Sequence, residues 1–349
     1  MKTLFLLSFN KKLLLVGFIF IFFCTISNQM GALQIDHILS RDSNIRWKRN
    51  PRAIYNLLKG KGITVHDAIK YDKKKQCELD LLLPRNIKKV TSVPVVILFH
   101  GGGFIKGTRY QAAGRFKDEI RRFLGNGFAI ALVDYPLMKL NDNAMNTLQC
   151  ITQAARSIQF LRHNAKKYKL NPNKFVVAGS SAGAGITLYL ATNELKDANA
   201  ENPVYRESSK INVAGLFNGQ MGYNFSDWEK YFNLRLKYEP KIVAQMRFHY
   251  NVKNINSDEA KELKKKLAFQ EQLSKKFTPP LFLFCSTDEK VSTNLNKLNN
   301  LIHHVTHLKV LALKARTQQI PYQLVIKKTR CADNKQPTNF VQFAIKYLK

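Results

Sequence analysis

The sequence predicts an α/β protein, a mostly parallel central sheet with helices on both faces and a helical lid insertion. Three observations lead there. Apolar runs such as "VVILF" at 95–99 show no polar alternation, which marks strands buried on both faces. Between residues 77 and 191 such runs alternate with segments of helical period, the order of parallel strands joined by crossover helices. The pattern then breaks over about 219–278, a charged, aromatic stretch without a strong strand that reads as an insertion.

Taken in order, residues 78–83 are expected to form a strand ended by Pro84, and 95–99 a fully buried one. Residues 111–124 suit a helix, and 128–133 another buried strand with a turn over 134–137. Residues 148–168 place Ile151, Ala154, Ile158 and Leu161 at helical spacing, and Asn171-Pro172-Asn173 breaks that helix. A strand over 175–178 leads through small residues into a further helix. Beyond 191 come a strand at 213–217, a turn at Asn218-Gly219-Gln220, the helix-compatible insertion at 226–276, and the closing Pro279-Pro280. A strand at 281–285, a helix at 304–317, a strand at 322–326 and a helix at 340–348 follow. Residues 28–70 are read as an N-terminal segment that joins the insertion in shaping a pocket, and 71–349 as the α/β domain.

Residues 1–27 have the shape of an export signal. Lys2, Lys11 and Lys12 border an apolar block over 13–24, and Thr25 and Ser27 suit a cleavage site. The block is shorter than the roughly 20 residues a spanning helix needs. Counting residues 4–9 lengthens it, so an uncleaved membrane anchor is the second reading beside periplasmic or secreted export. Cys77, Cys150, Cys285 and Cys331 permit two disulfides in an exported chain, or stand as isolated buried thiols. The formal net charge is +32, which draws a protein weakly toward anionic surfaces. The lysines are nevertheless dispersed, the densest runs being 73–75 and 264–266, and no basic motif is interleaved with aromatics, so specific nucleic-acid binding is not expected.

Chemistry concentrates at two corners of small residues. Gly179-Ser180-Ser181-Ala182-Gly183 fits G-x-S-x-G, in which a serine occupies a strained strand-to-helix turn and projects its hydroxyl from the top of a sheet. His100-Gly101-Gly102-Gly103-Phe104 follows the strand at 95–99, and its glycines let backbone N–H groups approach a developing oxyanion. Either corner alone also suits close packing or an anion nest. Together, in the order expected for one sheet, they favour acyl transfer.

On "PVVILFHGGGFIKG", "GFAIALVDYPL", "FLRHNAKKYKLNPNKFVVAGSSAGAG" and "PPLFLFCSTDEKV" the chain resembles the α/β-hydrolase superfamily. The likeness is to the HGGG-type esterases and lipases, the group with hormone-sensitive-lipase-like and feruloyl-esterase-like members. It is close over 71–191 and loose over 279–349. The resemblance implies a serine hydrolase that cleaves carboxylic esters through an acyl-enzyme, with no cofactor and no metal. Its substrate would be a small-molecule, lipid or polysaccharide ester. It implies Ser181 as nucleophile, the N–H groups of Gly102, Gly103 and Ala182 as the oxyanion hole, and Asp288 as the acid. His100 would support the oxyanion loop, and Asp134 and Tyr135 a structural turn near the pocket.

These assignments also stand on physical grounds. A serine hydroxyl is a poor nucleophile until a base takes its proton, and that base is nearly always an imidazole held by a carboxylate. Asp288 follows the strand at 281–285, at the sheet edge where Ser181 also emerges. The family places the histidine after the last strand, but here that loop, "KKTRCADNKQ" at 327–336, has none, and the last histidine is His307. One reading takes the base from "NNLIHHVTHLKVL", which holds His303, His304 and His307. His304 opens the expected helix and is the expected base. His303 and His307 stand four apart without the glutamate of H-E-x-x-H, so a zinc site is not expected. The alternative reading is a catalytically impaired pseudoenzyme that binds a ligand or partner through the old pocket.

Overall fold

The apolar runs become one eight-stranded sheet in a computed structural model that describes residues 51–139, 145–235, 240–287, 298–326 and 339–348. The described chain enters through helix α1 (Pro51–Gly60) into strands β1 (Thr64–Lys70), β2 (Glu78–Leu83) and β3 (Val93–Phe99). Helices α2 (Arg109–Arg115) and α3 (Lys117–Gly125) lead to β4 (Ala129–Val133). Helices α4 (Thr147–His163) and α5 (Ala165–Tyr168) lead to β5 (Leu170–Ser180), and α6 (Ala182–Thr192) to β6 (Val213–Phe217). The insertion carries α7 (Phe225–Phe232), α8 (Pro240–Tyr250) and α9 (Asp258–Lys266) before β7 (Leu281–Cys285). Then come α10 (Leu298–Ile302), α11 (Thr306–Thr317), β8 (Tyr322–Ile326) and α12 (Phe340–Tyr347).

In space the strands run β1-β2-β4-β3-β5-β6-β7-β8. Strand β2 is antiparallel to both neighbours, and every pairing from β4 to β8 is parallel. The pleat sends alternate residues to opposite faces. Val95, Ile97 and Phe99 of β3 join a core with α4, α6 and α11, whereas Val96 and Leu98 join a second core with α3, α12 and Tyr55 and Leu58 of α1. The inner strands are apolar throughout because both faces are covered.

Several boundaries differ from expectation. The helix expected over 111–124 is two helices, α2 and α3, separated at Phe116, which leaves helical dihedrals (φ −104°, ψ 23°) and buries its ring edge-on against Phe217. The long helix expected to reach 168 likewise breaks at Asn164. Strand β5 begins at Leu170, ahead of the expected 175, and contains Pro172. The reason is a bulge: Leu170 pairs with Val93 but Phe175 pairs with Val95, so Pro172 sits where the ladder is interrupted and no N–H is needed. Residues 64–70, assigned to a pocket-shaping segment, instead form the outer edge of the sheet as β1. Cys77, Cys150 and Cys285 are free buried thiols, and burial raises the pKa to about 11 at Cys77 and to about 12 at Cys150. Of the two readings left open, isolated buried thiols holds for all three. The expected leader at 1–27, Asp288, the loop at 327–336 and Cys331 lie outside the described residues. Among the described residues no helix is long and apolar enough to cross a membrane.

Two outcomes follow for stability. A Cβ at Gly183 would stand 2.4 Å from the Phe99 carbonyl oxygen and 2.6 Å from that of His100, so helix or strand must shift. Gly183→Ala is expected to cost about 1–3 kcal/mol, seen as a lower urea midpoint at unchanged slope. Burial also lowers the histidine pKa values from 6.5 to about 4 at His100 and His249 and about 3 at His307. Depressed native values mean that the unfolded chain binds protons the folded one refuses. The contribution of these histidines to stability is thus complete above the unfolded value of about 6.5 and falls as pH descends toward about 4. Urea midpoints measured from about pH 7 to about pH 4.5 are expected to decline steadily, and a flat profile would contradict this.

Candidate active site

The serine corner is built by crowding. Ser181 sits between the end of β5 and the start of α6 at φ 55° and ψ −118°, a conformation that costs a non-glycine residue roughly 1–3 kcal/mol. Its surroundings hold it there. The Ser181 N–H donates to the Phe217 carbonyl at 3.0 Å, and its carbonyl accepts from Ala184 and Gly185 at 2.9 and 3.1 Å. A Cβ at Gly179 would lie 2.1 Å from the Gly183 carbonyl carbon, so only glycine lets strand and helix meet this closely. Ser181 remains half-buried at the top of the sheet.

The glycine loop lies against that corner. A Cβ at Gly101 would stand 2.8 Å from the Ser180 carbonyl oxygen and 3.3 Å from the Ser181 Cβ. Gly102 adopts φ 115°, and a side chain there would strike the Lys106 carbonyl. The loop closes on itself when Ile105 and Lys106 donate to the Gly102 carbonyl at 3.1 and 3.2 Å. Among the described residues no carbonyl or side chain accepts from the N–H groups of Gly102, Gly103 or Ala182. These three backbone donors are therefore without a partner among the described residues.

His100 supports this loop, as the resemblance implied. Its ring stacks on Tyr135 at 4.2 Å, its Nδ1 lies 2.7 Å from the Gly101 carbonyl, and the Tyr135 hydroxyl donates to the His100 carbonyl at 2.8 Å. Asp134 accepts from the Arg109 backbone and guanidinium, and Arg109 Nε reaches Asp80 at 2.8 Å, where Tyr55 also bonds. This buried charge network ties α2, directly after the glycine loop, to β2 and the end of β4.

The histidine beside the serine is His303. Its Nε2 lies 2.9 Å from the Ser181 Oγ. His304 does not take that place. Helix α11 begins at Thr306 and not at His304, and the His304 Nδ1 accepts from the Thr306 N–H at 3.2 Å and bonds its hydroxyl at 2.9 Å. That ring nitrogen is used to satisfy a helix N-terminus. The His304 ring packs edge-on against Phe232 of the lid. His307 is fully buried against Trp228 and Phe232, with Nε2 3.1 Å from the Leu301 carbonyl. Position 303 is fixed from the sheet side, because the Thr287 hydroxyl donates to its carbonyl at 2.8 Å. Thr287 follows β7 and immediately precedes Asp288 in sequence.

A cavity of about 300 Å³ opens beside Ser181. Gly103, Phe104 and Ala182 form its floor, and Tyr223, Phe225, Trp228 and Phe248 wall it from the insertion. Residues of the insertion thus line the space beside the serine, and among the described residues no charged side chain does. His249 and Gln245 of α8 also face it. Sequence reasoning missed both, because nothing in a charged helix marks which side meets the pocket. Among the described residues no three His, Cys, Asp or Glu side chains cluster to hold a metal ion.

Comparison with known proteins agrees with this fold. A probable isoprenylcysteine alpha-carbonyl methylesterase from Oryza sativa subsp. japonica is 28% identical over 172 residues, 48% of this chain and 38% of that protein. The chain thus spans less than half the length of the curated relatives it matches. In fold it is similar to an acetyl ester-xyloside bifunctional hydrolase from Caldicellulosiruptor lactoaceticus, with a TM-score of 0.54 at 17% identity over 75% of this chain and 86% of that one. It is also similar to the Thermogutta terrifontis esterase Est2, with a TM-score of 0.54 at 19% identity over 82% and 89% of the two chains. The BD-FAE family model matches residues 79–298, a stretch that holds the glycine loop, the serine corner and the lid and stops just short of His303. The chain has the α/β-hydrolase fold and belongs to the BD-FAE family.

Proposed function

We propose that the protein is a serine hydrolase that cleaves carboxylic esters through an acyl-enzyme. The observation that carries this reading is the 2.9 Å contact between the Ser181 Oγ and the His303 Nε2, beside open backbone donors. Ser181 attacks the ester carbonyl while Nε2 takes its proton. The oxyanion turns toward the N–H groups of Gly102, Gly103 and Ala182, which are preorganised and need no rearrangement as charge develops. His303 then returns the proton to the departing alcohol, and water clears the acyl group with the same base. Asp288 is the proposed carboxylate that orients His303; its place directly after Thr287 supports this. The uncharged, aromatic cavity suits an uncharged group of modest size. The ester-cleaving relatives and the family support the reaction class. The His303 contact favours this reading over the pseudoenzyme, since a base stands where the serine needs one.

Ser181→Ala and His303→Ala are each expected to lower kcat for a short-chain ester by about 10⁴-fold or more. His304→Gln is expected to stay within about tenfold of wild type, because its ring lies off the reaction path. Steady-state kinetics on the three variants tests the assignment, and a larger loss in His304→Gln than in His303→Ala would overturn it. Gly102→Ala is expected to cost about 10²–10³ in kcat by displacing an oxyanion donor. An unimpaired Gly102→Ala enzyme would remove that loop from the mechanism.

A further inference from the structure

Most polar groups around the cavity are already satisfied. The Gln220 amide donates to the Ile302 carbonyl at 2.8 Å and accepts from the Tyr223 hydroxyl at 3.3 Å. The Trp228 indole donates to the Gly222 carbonyl at 3.0 Å. His249 differs. Its Nδ1 is engaged at 2.7 Å by the Oγ1 of Thr147, a fully buried residue at the start of α4. Its ring lies nearly parallel to Tyr223, 5.9 Å between centroids, with Phe225 and Phe248 on other sides. The orientation is therefore fixed by one hydrogen bond and three aromatic neighbours. Among the described residues nothing bonds its Nε2, although the residue is half-buried and lines the cavity. Gln245 stands one turn earlier on α8, on the same cavity wall, and its amide also has no partner among the described residues.

A fixed imidazole with an open nitrogen, beside an amide on a wall otherwise lined by apolar side chains, offers a ligand directional polar contacts at that one place. We propose that His249, assisted by Gln245, recognises a hydroxyl on the group of the substrate that enters the lid pocket, so that the preferred esters are hydroxylated there. A hydroxyl fits because it both donates and accepts. It therefore completes Nε2 whichever ring nitrogen carries the proton. Among the described residues no cation lines the cavity to hold a carboxylate or phosphate in the same position. This inference rests on the ester-hydrolase reading and names the selectivity of that site.

The test compares kcat/KM for paired esters at several chain lengths. One arm uses 4-nitrophenyl alkanoates against their ω-hydroxy counterparts, and the other butyrate esters of simple alcohols against those of diols. In at least one arm, at one length, the hydroxylated ester is expected to be preferred by roughly tenfold. His249→Phe, which keeps an aromatic ring against Tyr223, is expected to bring that ratio to about one, and His249→Gln to restore part of it. Gln245→Leu, on the same wall, is expected to lower the ratio without abolishing it. Turnover with no hydroxyl preference at any length in either arm would overturn this inference and leave ester hydrolysis standing. A preference that survives His249→Phe would overturn it equally. Absence of turnover of every ester, with no labelling of Ser181 by a fluorophosphonate, would overturn the ester-hydrolase reading and this one with it.

Discussion

The site depends on a backbone contact between α6 and the end of β3. Gly183 lies so close to the carbonyls of Phe99 and His100 that no side chain fits between them. That approach seats the serine corner on the first residues of the glycine loop. Gly103 and Ala182 line the same cavity as Ser181. The cost is visible in the dihedrals of Ser181, which the surrounding ladder and helix hold outside the ordinary regions. A parallel sheet suits this arrangement because adjacent strands end on the same edge, and ligands gather where such strands terminate.

The proposed base reaches this edge by a route other than the loop after the last strand. It does not follow the last strand but lies between β7 and α11, where Thr287 anchors the His303 carbonyl. The neighbouring histidines have structural duties. His304 satisfies the start of α11, and His307 is a neutral core residue beneath the lid. One short run therefore serves the serine, the helix terminus and the lid packing together. Lid aromatics Trp228 and Phe232 rest on this run, which couples the cover of the pocket to the position of the base.

Much of this was legible in the sequence, for physical reasons. Strands β3, β4, β5 and β7 carry apolar runs that water on either face of the sheet would penalise, so their sequences already require helices on both sides. The two small-residue corners were legible because close approach demands glycine whatever the neighbours are. Strand β1 was hidden because an edge strand with exposed polar residues lacks the apolar signature. The bulge that admits Pro172 depends on the register against β3, which the local sequence does not reveal. The choice between His303 and His304 turned on where α11 begins. Neither residue is helical: with α11 starting at Thr306, His304 is spent on that helix start, which leaves His303 to face the serine. His249 was hidden for a similar reason, since only the packed lid shows which side of α8 meets the cavity.

The central claim is that His303 activates Ser181 next to the glycine-loop donors. The most direct measurement is the rate at which a fluorophosphonate labels the chain, with the modified residue located by peptide mass spectrometry. Labelling confined to Ser181 is predicted, slowed by several orders of magnitude in His303→Gln and unaffected in rank order by changes at His304. Labelling at another residue, or labelling of Ser181 at full rate without His303, would contradict the account.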